Sequence, residues 1–292
     1  MASGLFSFQK SMASGSTRAK VTAEFHSKKK VTTEFGDTVT VTPTARHQAT
    51  IVWLHDLNES GYDSSELVKS FSLYNVKWIC PSSPLISNVG FGGAPARACK
   101  ISLLQNFKEE HAISIHRGFK VNEFSSRMPD PYEMEGLKNS AAHVAGLLKN
   151  EPENVMKGVA GYGIGGALAL HIATCYALGS FPIQIRAVVG INCWLPNRFK
   201  LGDQIESIPD ATSRAGELSV LVTHGNNDKM VPYETGRSSA EKLSKAGFKQ
   251  IKLKTIHLYK PCDHAIVFQI MTEVSLWLTR KFELEGEPDT TV

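Results

Sequence analysis

The sequence predicts an α/β protein with a mostly parallel central sheet and helices on both faces. Three observations carry this reading. From Thr38 onward, short apolar runs alternate with helical stretches, the pattern of successive βα units. The run Ala49–Leu54 is almost wholly apolar rather than alternating, as a strand covered on both faces requires. Finally, a glycine-rich turn, Val159-Ala-Gly-Tyr-Gly-Ile-Gly-Gly-Ala167, joins an apolar run to a small-residue helix.

Residues 1–36 read as an N-terminal extension, expected to be disordered. Met1 to Lys20 is rich in Ser, Ala and Gly, and no acid precedes Glu24. This stretch lacks the long apolar run of a secretory signal. It is compatible with a cytosolic tail, which makes the expected location cytoplasmic, or with a transit peptide to chloroplast or mitochondrion. Within it, Lys20-Val-Thr-Ala-Glu-Phe25 recurs as Lys30-Val-Thr-Thr-Glu-Phe35, with Lys28 to Lys30 as a solvated charge run. Two copies are too few for a solenoid.

The domain proper spans 37–282. Its first strand is the alternating Thr38–Thr42, followed by Ala49–Leu54, a helix near Ser65–Phe71 and strand Val76–Cys80. About 100–128 there is no clear period, so this stretch reads as an insertion, a lid or a disordered loop. Glu135–Asn150 places Leu137, Ala141, Val144, Leu147 and Leu148 on one helical face. Strand Met156–Ala160 and the helix from Gly165 to Leu178 come next. Strands Arg186–Ile191 and Leu218–His224, helix Glu234–Ala246, strand Ile251–Leu258 and helix Ala265–Phe282 complete the pattern. Residues 283–292 form an acidic tail.

Composition removes several function classes. Over 292 residues, 42% hydrophobic and 21% charged is a globular balance, which excludes wholesale disorder. No apolar run approaches the roughly 18 residues of a transmembrane helix. A net charge of +4 is too weak to indicate nucleic acid. The 5 cysteines are widely spaced and contain no CxxC pair. They read as free thiols of a reducing compartment rather than a disulfide frame or zinc site. No metal or cofactor is expected.

Two motifs compete for the turn at Gly161. Gly161, Gly163 and Gly166 fit GxGxxG, but a dinucleotide site needs an acid about 20 residues on to hold a ribose. No Asp or Glu lies between Gly161 and Gly190, which counts against it. The other motif is a nucleophile elbow, Gly-x-Ser-x-Gly, flanked by Gly161 and Gly165 with Gly163 at its centre. Glycine accepts positive φ without a Cβ penalty, so the turn keeps its shape while losing its hydroxyl. An elbow calls for an acid and then a histidine later in the chain. Asp228 follows the strand Leu218–His224, and His264 follows Ile251–Leu258. Each also has an ordinary reading, Asp228 as a turn residue and His264 as an exposed loop histidine.

On these residues the chain resembles the acyl-protein thioesterases and carboxylesterases of the α/β-hydrolase superfamily, especially the plant branch. The resemblance covers roughly Gly36 to Trp277 apart from the insertion. It rests on His47-Gln-Ala-Thr-Ile-Val-Trp-Leu-His55, Val76-Lys-Trp-Ile-Cys-Pro81, Phe91-Gly-Gly93, Met134-Glu-Gly-Leu137, Ala141-Ala-His-Val-Ala145, Thr174-Cys-Tyr-Ala-Leu-Gly179 and Cys193-Trp-Leu-Pro196. It implies the α/β-hydrolase fold and hydrolysis of carboxylic esters and thioesters, including palmitoyl-cysteine on proteins. It maps nucleophile, acid and base onto Gly163, Asp228 and His264, and the oxyanion-hole donors onto Leu57 and Ile164. His55 is structural in that family.

The sequence departs from the family in three places. Gly163 stands where the family has serine. The family's H-G-L-G-D reads His55-Asp-Leu-Asn-Glu59, and its aromatic lid segment reads Pro95-Ala-Arg-Ala-Cys-Lys100. The expectation is therefore a catalytically impaired or inactive homologue, with an acylated protein or small acyl-ester ligand as its partner. An active ester or thioester hydrolase using water or a substitute nucleophile (Cys99 or Cys262) remains the alternative. A third reading is an interaction protein whose extension and insertion carry binding.

Overall fold

The computed structural model describes residues 7–13, 16–23, 31–86, 96–97, 131–196, 201–257 and 268–285. Its centre is a sheet of seven strands. They are β4 (Thr38–Val41), β5 (Ala49–Leu54), β6 (Val76–Pro81), β9 (Met156–Tyr162), β10 (Ala187–Ile191), β11 (Ser219–Gly225) and β12 (Gln250–Ile256). Their order across the sheet is β12-β11-β10-β9-β5-β6-β4. All neighbours are parallel except β4, which pairs antiparallel with β6 at the edge. The mostly parallel sheet read from the sequence is what the chain forms.

Helices cover both faces. These are α1 (Gly61–Lys69), α2 (Pro131–Lys149), α3 (Ile164–Ala177), α4 (Leu201–Ser207), α5 (Ala211–Glu217), α6 (Tyr233–Lys245) and α7 (Phe268–Lys281). Strand periodicity sorts the core into two clusters. On β5, Val52 and Leu54 face a core shared with Leu137 and Val144 of α2, the apolar side of α3, and Ala240 and Leu243 of α6. Ala49, Ile51 and Trp53 point the other way, toward Val68 of α1 and Ile270, Val274 and Trp277 of α7. Every residue of β5 is buried, which explains why its sequence shows no polar alternation. Helix α1 begins earlier than its apolar pattern indicates, because Ser60 and Asp63 form a capping box.

Three stretches within residues 1–36 are described as strands. Strands β1 (Ser7–Ala13), β2 (Ser16–Ala23) and β3 (Val31–Glu34) form a separate antiparallel sheet. The physical reason lies in the decapeptide repeat. Its two copies pair with each other in the backbone register, with Lys20 opposite Glu34 and Thr22 opposite Thr32. At the end of the second copy, Phe35 is buried and stacks on His143 of α2, ring centroids 3.9 Å apart. Two short strands, β7 (Leu85–Ile86) and β8 (Ala96–Arg97), pair antiparallel near the start of the segment read as an insertion. Residues 100–128 themselves lie outside the described residues.

Candidate active site

The carboxyl ends of β5, β9, β10 and β11 converge on the turn after β9. There Gly163 has φ 54° and ψ −118°, a combination outside the regions that residues with a Cβ occupy readily. The turn is also too tight for side chains on its flanks. A Cβ on Gly161 would overlap the carbonyl of Gly165 and approach Gly166 N to 2.7 Å. A Cβ on Gly165 would overlap the Leu54 carbonyl and lie 2.6 Å from His55 O. This is the strained strand-to-helix geometry of a nucleophile elbow. The obstacles at Gly165 are backbone atoms of a central strand, which cannot rotate away. Gly165→Ala is therefore expected to cost about 3 kcal/mol or more by overpacking, read as a lowered urea midpoint. A midpoint within error of wild type would contradict that tightness.

Hydrogen bonds lock the turn to neighbouring strand ends. Gly163 N donates to Ile191 O at 3.0 Å, and Ala167 N donates back to Gly163 O at 3.0 Å. Asn192 N donates to Thr223 O, while Asn192 Oδ1 accepts from Gly225 N at 3.0 Å. Tyr162, buried next to the turn, has its phenol pKa pushed far up. Burial is the main cause, and the carboxylates of Asp56, Asp228 and Glu59 add to it. The phenol therefore stays protonated, and the three carboxylates that act on it belong to one electrostatic neighbourhood.

Asp228 sits in the turn after β11 and is buried. Its Oδ1 accepts from Met230 N at 2.8 Å and Val231 N at 2.9 Å. Its Oδ2 lies 3.8 Å from His224 Nε2. That nitrogen faces Val231 O at 2.8 Å; a carbonyl only accepts, so His224 donates there. One oxygen of Asp228 thus fixes its own loop. His264, Cys99 and Cys262 lie outside the described residues. Cys193, close below the turn, is fully buried, and burial followed by the charge of Asp56 raises its thiol pKa. It is therefore a packing thiol rather than a thiolate nucleophile.

The loop after β5 carries the feature that the sequence reading missed. His55 is buried, and its Nε2 accepts from Ser83 N at 2.9 Å. The proton must then be on Nδ1, which donates to Asp56 O at 2.6 Å. Asp56 N donates to Glu59 Oε2 at 3.1 Å, and Asn58 takes φ 65°. This path sends the Asp56 side chain across to α3, where Oδ1 accepts from Ile164 N at 2.8 Å. Gly163 provides no side-chain cap for α3, so a distant carboxylate satisfies one of its orphan donors. Placing that anion at a helix N-terminus is electrostatically favourable. Leu57 is half-buried and packs against the larger core. The signal for Asp56 was present, since it stands where the resembled family has glycine. Its contact with Ile164, over a separation of 108 residues, leaves no trace in local pattern. Among the described residues, no group of three or more His, Cys, Asp or Glu side chains is placed to hold a metal ion.

Comparisons with known proteins bear on the family and the fold. A family model described as Phospholipase/Carboxylesterase matches residues 110–281, including part of the stretch read as an insertion. The carboxylesterase SOBER1 of Arabidopsis thaliana is 24% identical over 249 residues, covering 82% of this chain and 92% of its own. An acyl-protein thioesterase 1 of Cryptococcus neoformans is 24% identical over 256 residues, covering 82% and 94%. The crystal structure of Zea mays acyl-protein thioesterase 2 superimposes with a TM-score of 0.71 at 35% identity, covering 85% of this chain and 99% of that one. With more than half of the chain inside the family model and the elbow turn in place, the chain belongs to the phospholipase/carboxylesterase family of α/β-hydrolases.

Proposed function

We propose that this protein is an acyl-protein thioesterase- and carboxylesterase-like member of the family that does not form an acyl-enzyme. The reading is carried by Gly163. It holds the strained φ and ψ of an elbow's central residue and has no atom with which to attack. In acyl transfer by this fold, a side-chain oxygen adds to the carbonyl carbon, a histidine takes its proton and an acid orients that histidine. Asp228 and His264 are assigned the acid and base positions, and Leu57 and Ile164 the donor positions. With the nucleophile absent, that relay has no proton to receive. The remaining shell is assigned to holding a small acyl ester or an acylated protein without cleaving it.

Covalent labelling tests the reading directly. A fluorophosphonate reagent reacts with an activated seryl oxygen and adds its mass permanently. The full-length protein is expected to show no added mass after exposure that labels a serine-bearing hydrolase completely. Stoichiometric labelling at any residue would refute the proposal, and the labelled peptide would identify the true nucleophile.

A further inference from the structure

A side chain on residue 163 and the side chain present on residue 56 cannot occupy the structure together. A Cβ built on Gly163 would fall inside the Asp56 carboxylate, overlapping Cγ and Oδ1 and lying 2.6 Å from Oδ2. The first atom of any nucleophilic side chain at the elbow thus has its place filled by the loop after β5. The carboxylate is not an easily displaced tip. Asp has only two side-chain torsions, and its backbone is held on both sides by the His55 Nδ1 bond to Asp56 O and the Asp56 N bond to Glu59. His55 is in turn fixed by Ser83 N. The far end of the carboxylate is tied to Ile164 N at 2.8 Å, a charge-assisted bond at the first turn of a buried helix.

We infer that Asp56 and Gly163 are a reciprocal pair: Asp56 is the built-in occupant of the nucleophile's volume, and its carboxylate closes the oxyanion site from within. This rests on the proposed function and says what holds the site silent. An acyl carbonyl entering the pocket meets a fixed anion where a free N–H should polarise it, so loss of the attacking oxygen is one of two blocks. Restoring the oxygen alone leaves the second in place.

Four full-length proteins separate the two blocks: wild type, Asp56→Gly, Gly163→Ser and the double variant. Each is labelled with a fluorophosphonate and unfolded in urea. The strain of a non-glycine residue at φ 54° is common to both serine variants and cancels in the cycle. Wild type and Asp56→Gly are expected to remain unlabelled. The double variant is expected to label about 10²–10³ times faster than Gly163→Ser, the range for regaining one oxyanion donor. The urea midpoint is expected to fall sharply for Gly163→Ser and far less when the same change is made with Asp56 already gone. If the double variant labels, equal rates in the two serine variants overturn the pair. If it stays unlabelled, the midpoints decide alone: coupling supports the pair and additive shifts overturn it. Labelling of wild type would instead overturn the proposed function, leaving the midpoints to judge Asp56.

Discussion

On p-nitrophenyl butyrate or an acyl thioester, the wild-type protein is expected to give linear progress without a burst, at least about 10⁶ slower in kcat than a serine-bearing hydrolase of the same fold. That figure is the cost of deleting the nucleophile from a comparable triad, and it corresponds to roughly 8 kcal/mol of transition-state stabilisation. Deleting a triad member ordinarily leaves about 10³–10⁴ over the uncatalysed rate, because oxyanion donors and substrate binding still act. Here the remainder should be smaller. Ile164 N is engaged by Asp56 Oδ1, and loss of one such donor removes about 10²–10³. The turnover expected above buffer is therefore within about a hundredfold, and it should lack the sigmoidal pH dependence of a histidine base. Stopped-flow release of nitrophenol checks all three features. A burst equal to the protein concentration, or a rate within about 10² of an active hydrolase, would overturn the assignment.

Much of the fold was legible because buried strands announce themselves. Ala49–Leu54 was read with its observed bounds, and Ala187–Ile191 and Ser219–Gly225 were read within one residue at each end. Their continuous apolar character follows from being covered on both faces, so composition alone locates them. Short elements were missed for the converse reason. Helices α4 and α5 have seven residues each, too few for a helical period to emerge. The three N-terminal strands were missed because their stabilising partners are one another. A repeat looks like a duplication until the register shows its copies side by side.

The candidate site was legible where chemistry follows chain order. A strand, three glycines and a helix specify the elbow, and Asp228 appears at the expected strand end. What could not be read was the effect of Asp56. In the sequence it stands out only as a departure from the resembled family's H-G-L-G-D. In the structure it is an occupant of the site, and its position depends on a tautomer-defined bond from His55, a carboxylate at Glu59 and a glycine 107 positions away in the numbering of the chain. Complementary substitutions of this kind are three-dimensional facts: each residue is unremarkable alone.

Acid is expected to unfold the domain well above the range in which its carboxylates protonate, because two core histidines are held neutral. His143 lies under Phe35, and its Nε2 has no hydrogen-bond partner among the described residues. His171 lies in α3, with Nε2 3.3 Å from Cys175 Sγ and no partner for Nδ1 among the described residues. Burial lowers both pKa values to about 4, and the charge of Lys138 contributes at His171. In the unfolded chain each titrates near its ordinary value of about 6.5. Between those values the unfolded state binds more protons than the folded one, so stability falls as pH falls. The contribution is intact above about pH 6.5 and fully lost by about pH 4. Each histidine accounts for about 3 kcal/mol and the pair for about 6, comparable with the roughly 5–15 kcal/mol total of a typical domain. Urea unfolding between pH 7.5 and 4.5 should show uptake of close to two protons on unfolding near pH 5. His143→Phe keeps a ring against Phe35 but cannot ionise. It should remove about half of that slope, and His171→Leu should remove the other half. If either variant keeps the wild-type slope, that histidine is already protonated in the folded protein and its burial does not govern the acid limit.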